Sequence, residues 1–80
     1  MRRYRLHHKH AAADCPAVFA SWRGFASPLR HGVAKGTCRT GGHELWWDVD
    51  ADSPAAALDM LPDFVADRTQ VTAIDDVPIP

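Results

Sequence analysis

The dipeptide Gly41-Gly42 sits between two runs of alternating side chains, residues 33–40 and 43–50. Both glycines can take positive φ, as a two-residue hairpin requires, so the runs are expected to fold back on each other as an antiparallel pair. The register of such a turn sets Thr40 opposite His43, Arg39 opposite Glu44, Cys38 opposite Leu45 and Lys35 opposite Asp48. One face is then apolar through Ala34, Cys38, Leu45, Trp47 and Val49, while the other carries two opposite-charge pairs. A one-residue slip spoils both patterns, which makes this pairing the tightest constraint on the fold.

The remaining elements follow from periodicity. Residues 3–10 alternate Tyr4, Leu6, His8 and His10 against Arg3, Arg5, His7 and Lys9, the pattern of a strand with one drier face. Asp14 reads as a helix N-cap with Pro16 in the first turn; Val18, Phe19, Trp22 and Phe25 follow at helical spacing, and Gly24 offers a stop. Ser53-Pro54 opens a second helix with Ala57, Leu58, Leu61, Phe64 and Val65 as its stripe. Pro62 interrupts that stripe at a cost of ~3 kcal/mol inside a regular helix, so a kink or two short helices is predicted there. Residues 70–77 read as a last strand and Pro78-Ile79-Pro80 as a non-helical tail.

The order βαββαβ has one dominant compact solution, an α+β domain over residues 1–80. It is a four-stranded antiparallel sheet of spatial order 4-1-3-2 with both helices on one face. Charge points the same way. Residues 1–40 hold eight Lys/Arg against one Asp, and residues 41–80 hold one Arg against nine Asp/Glu, so this order alternates acidic and basic strands. Because the acidic half balances the basic half within one small domain, nucleic-acid binding is not expected.

Eighty residues bury only ~60% of their unfolded surface, so a metal or a second subunit would add needed stability. No apolar run approaches the ~20 residues of a membrane span, and the basic N-terminus is not followed by the apolar segment of a secretory leader. The cytoplasm is therefore the expected compartment, where Cys15 and Cys38 are expected to be thiols or ligands rather than a disulfide.

This topology brings the end of the first strand, the start of the first helix and the hairpin to one edge of the sheet. His8, His10, Cys15, Cys38 and His43 would gather there, with strand parity placing them on the helix-covered side. Imidazole and thiolate are preferred ligands of zinc, nickel, copper and iron, so a transition-metal site is the leading expectation; no organic cofactor is expected. The bland alternative makes these residues a small core cysteine, a turn histidine and a frayed strand end. A third reading makes Cys15 a reactive thiol whose proton passes to His8 or His10. Arg23 and Arg30, on the opposite side of the sheet's length, are candidates to clamp an anion, while Trp22 and Phe25 read as core anchors.

The element order, with the segments Ser21-Trp22-Arg23-Gly24-Phe25 and Gly42-His43-Glu44-Leu45-Trp46-Trp47, resembles the ferredoxin-like superfamily and its dimeric α+β-barrel branch over nearly the whole chain. That resemblance implies a homodimer closed through the helix-free sheet face. It also implies an alternative small-molecule or catalytic site there, using His7, Arg39, Trp46 and Asp48. Heavy-metal-binding domains of the same order place their ligands in the first loop, as here. They use Cys-x-x-Cys, where this chain has His8-Lys9-His10-Ala11-Ala12-Ala13-Asp14-Cys15, a departure that argues against copper-chaperone activity.

Overall fold

β1 (Arg2–Lys9) carries its alternation directly into burial: Tyr4, Leu6 and His8 are buried, while Arg3, Arg5 and Lys9 face solvent. In the computed structural model, which describes residues 1–80, β1 is an inner strand of a four-stranded antiparallel sheet. β3 (Glu44–Ala51) pairs with β1 along its whole length, β4 (Thr69–Ala73) lies on the other side of β1, and β2 (Lys35–Gly36) joins the outer edge of β3. The order is β2-β3-β1-β4, which read from the opposite edge runs 4-1-3-2. Opposite charges meet in register across β1 and β3. Arg5 grips Asp48 through two hydrogen bonds of 2.8 and 3.0 Å, and Arg3 meets Asp50 at 3.2 and 3.4 Å.

One face of this sheet is covered by α1 (Cys15–Ala20), α2 (Pro54–Leu58) and α3 (Asp63–Ala66). Val18, Ala57 and Val65 from these helices join Leu61 and the inward residues of β1 and β3 in one core of nine buried hydrophobics. Pro62 divides the second helical segment into α2 and α3, because its extended backbone (φ −55°, ψ 148°) ends one helix and its ring cannot continue it. Ser53 caps α2, its Oγ accepting from the Ala56 N–H at 3.1 Å. Asp14 does not cap α1. A 3-10 turn over Ala12–Asp14 has already put its backbone in the helical region, so the side chain is not placed to reach a free N–H. α1 is also shorter than its periodicity suggests; i→i−3 bonds carry the chain from Ala20 to Gly24, whose φ of +72° reverses it. Phe19 consequently lies outside the core, 52% exposed, while Trp22 packs at 5.9 Å from Trp47.

The two-residue hairpin does not form. Lys35 pairs with Trp46 and Gly36 with Leu45, two residues away from the expected register, and the chain between them follows a 3-10 turn over Cys38–Thr40. Thr37 sets this wider connection. Its N–H donates to the Glu44 carbonyl, its Oγ1 accepts from the Glu44 N–H, and its carbonyl accepts from the N–H groups of Thr40 and Gly42. Gly41 alone of the pair takes positive φ, +87°, and a Cβ on Gly42 would overlap the Thr37 side chain. The expected pairs Arg39–Glu44 and Lys35–Asp48 are replaced because β1 is the long partner of β3. Asp48 is taken by Arg5, and Glu44 by His7 with Lys9 nearby at 3.8 Å. β4 also ends early. The Ile74 N–H makes the last backbone hydrogen bond to β1, at the Arg3 carbonyl, and beyond it only an Arg2–Asp75 ion pair at 3.7 Å ties the acidic and proline-bearing tail to the strand.

Candidate metal centre

His8 reaches the covered face of β1 and is completely buried there. Its Nδ1 lies 3.2 Å from both the Val65 carbonyl and Thr69 Oγ1, and the Thr69 hydroxyl itself donates to that carbonyl at 2.6 Å. A carbonyl can only accept, so Nδ1 carries the proton, and the neutral ring is left with a lone pair on Nε2. That lone pair faces His10 Nδ1 at 2.9 Å, making His10 the donor and leaving His10 Nε2 with a lone pair of its own. Burial is the main influence that pushes the His8 imidazole below its ordinary pKa, outweighing the opposing pull of the Val65 carbonyl. His10 is pushed down as well, first by burial and then by the neighbouring His43, against the attraction of Asp14. Both rings are therefore neutral around pH 7, the form in which imidazole binds metals.

Three chain segments converge in front of His10. The His10 N–H donates to the His43 carbonyl at 3.2 Å, tying the end of β1 to the β2–β3 connection. His43 occupies the left-handed region at φ +52°, where histidine is one of the better tolerated side chains. Cys15 enters as the first residue of α1, positioned by the preceding 3-10 turn. One ligand atom from each of His10, Cys15 and His43 lies within 4.8 Å of the other two, and the His10 and His43 rings meet edge to face at 5.4 Å.

His10 Nε2 and His43 Nδ1 are the only buried side-chain nitrogen or oxygen atoms in the protein without a hydrogen-bond partner. An unsatisfied buried polar atom costs ~1–3 kcal/mol, and an ion held by the His10, Cys15 and His43 group would give these nitrogens a partner. The donor set of two imidazoles and one sulfur suits zinc and its borderline-soft neighbours. An ion centred among atoms no more than 4.8 Å apart would stand at most about 2.8 Å from each of them. Zinc needs ~2.0–2.3 Å, so closure by no more than about an ångström completes the contacts. Such a shift is within side-chain rotation. Three protein ligands leave a fourth tetrahedral position for water or an exchangeable group.

Of the five expected ligands, the structure brings His10, Cys15 and His43 together. His8 stands behind His10 as its hydrogen-bond partner. Cys38 lies outside the group, half-buried against the hydrophobic core, because the wider β2–β3 connection removes it from its expected place opposite Leu45. The reactive-thiol reading gains no orienting carboxylate, since the line behind His10 runs through His8 to a backbone carbonyl. On the helix-free face, His7 donates to Glu44 at 2.8 Å and stacks on Trp46 with centroids 4.8 Å apart, while Asp48 is held by Arg5. Hydrogen bonds from Arg5 are the main reason that the Asp48 carboxyl is held below its ordinary pKa. Arg39 lies in the 3-10 turn and does not join this constellation. Val65 and Thr69, which orient the relay, were not among the expected site residues. Thr69 faces His8 in the observed register of β1 with β4, one residue before the strand expected over residues 70–77.

No helix is long and apolar enough to cross a membrane. Comparison with protein-family models, curated proteins and solved structures found no match.

Proposed function

We propose that the protein binds one zinc-class transition-metal ion through His10 Nε2, His43 Nδ1 and the Cys15 thiolate, with one coordination position open. The observation that carries this reading is the pair of unpartnered, buried imidazole nitrogens beside Cys15. The His8 relay supports it, since a metal-binding histidine is characteristically fixed by a hydrogen bond from its other nitrogen. Binding displaces the thiol proton, so affinity rises with pH. The open position suits either activation of a bound water or passage of the ion to another ligand. We further propose kinship with the ferredoxin-like superfamily, a reading supported by the strand order and by helices confined to one sheet face.

Cobalt titration of the reduced, chelator-treated protein tests the site. A thiolate-to-cobalt charge-transfer band saturating at one equivalent, displaced by zinc and absent in Cys15→Ser, is the expected result. A protein that retains no metal and gives no such band, with its circular dichroism unchanged, overturns the reading. Cys38→Ser serves as the control and should behave as the native protein.

A further inference from the structure

A cleft of about 490 Å³ opens between α1, the loop over residues 25–34 and β3, within the ~300–1,000 Å³ typical of small-molecule sites. Its apolar lining includes the half-buried Trp22, Leu29 and Trp47 and the buried Leu45. The two indoles stand 5.9 Å apart with planes inclined at 46°, so aromatic surface remains open to the cleft. Phe19 and Val33, two of the large apolar side chains that the core leaves out, also line it.

The charged residues of this cleft are all of one sign. Arg23 and Arg30 contribute to it, and no Asp or Glu does. Five of the other seven Lys and Arg are engaged: Arg2, Arg3, Arg5 and Lys9 pair with carboxylates and Arg68 lies over the Phe64 ring, while Lys35 and Arg39, also without an ion pair, are exposed outside this cleft. Arg23 and Arg30 make no ion pair within a chain that carries ten Asp and Glu. Arg30 is moreover half-buried, yet no carboxylate pairs with it.

We propose that this cleft binds a small amphipathic organic anion, a flat apolar body carrying a carboxylate or equivalent oxyanion. The body lies against Trp22 and Trp47, and the oxyanion is held between Arg23 and Arg30, whose forked donors match it geometrically. The inference stands apart from the metal reading, because none of the three proposed ligands lines the cleft.

The test uses 1-anilinonaphthalene-8-sulfonate as the probe on chelator-treated protein, with emission read through energy transfer from tryptophan. One saturable site is expected. R23Q/R30Q should weaken it about tenfold or more, as loss of charge-assisted hydrogen bonds does, while R23K/R30K, which keeps the charge but loses the fork, should weaken it less. Uncharged N-phenyl-1-naphthylamine should bind the native protein and R23Q/R30Q alike. Because neither arginine is paired, an unchanged urea midpoint accompanies the substitutions. Equal sulfonate affinity in R23Q/R30Q, or no saturable binding to the folded native protein, overturns the proposal. A concentration-dependent dimer lost in R23Q/R30Q, whose tail residues Asp75–Pro80 fill the cleft of a second copy, overturns it too.

Discussion

His7 and His8 are neighbours in sequence and opposites in circumstance. His7 lies on the open sheet face, paired with Glu44 and stacked on Trp46, with every strong contact supplied by β3. His8 lies on the covered face with no carboxylate beside it, its two nitrogens joined to the Val65 carbonyl and to His10. The open face resolves its charges locally, through Arg3–Asp50, Arg5–Asp48 and His7–Glu44. The covered face passes its unsatisfied polarity along a chain of rings until two lone nitrogens meet Cys15. The same residue type is structural on one face and an orienting element on the other, and strand parity alone decides which.

The strongest way to break this contrast is to remove a ligand on the covered face. His43→Ala should lose stoichiometric cobalt or zinc, read by elemental analysis after gel filtration. Next in size is Leu6→Ala, which empties a completely buried position on β1 and should cost ~2–5 kcal/mol in urea denaturation. The two histidines are then compared directly. His8→Leu takes away the acceptor that orients His10 and should weaken metal binding ~10–100-fold in competition with a chromophoric chelator. His7→Leu should leave that affinity unchanged, and an equal loss in both variants would erase the distinction between the faces.

Acid sharpens it further. His8 and His10 have folded pKa values below their unfolded ones, so their contribution to stability is complete above ~6.5 and is lost as pH falls from there through the folded values. The urea midpoint of the metal-free protein should drop between about pH 7 and pH 5, and should drop less in His8→Leu. The smallest effect belongs to the open face. Arg5→Gln breaks an exposed pair that solvent and salt already screen, so its unfolding curve at high salt should overlay that of the native protein.

Much of this was legible in one dimension. The alternation of Tyr4, Leu6 and His8 against Arg3 and Arg5 fixed the faces of β1, and Pro62 marked the break between two short helices. The convergence of β1's end, α1's start and the β2–β3 connection followed from element order, and with it the meeting of His10, Cys15 and His43. The loop between β2 and β3 was not legible, because Gly41-Gly42 satisfies the rule for a tight turn whether or not the chain uses it. Thr37 offered a competing set of hydrogen bonds, and the full-length pairing of β3 with β1 took the acidic partners that a hairpin would have needed.

The sequence by itself determined which side chains share a face and which segments share an end of the sheet, since a strand's period of two and the connection order leave little freedom. Only the tertiary structure decided that Cys38 packs on the core, that His8 stands behind His10 rather than in the group with Cys15 and His43, and that two arginines line a cleft without an acid. Those outcomes depend on distances of a few ångströms between segments far apart in the chain. Such distances are set by how the helices seat on the sheet and by competition among hydrogen bonds, which no local pattern records.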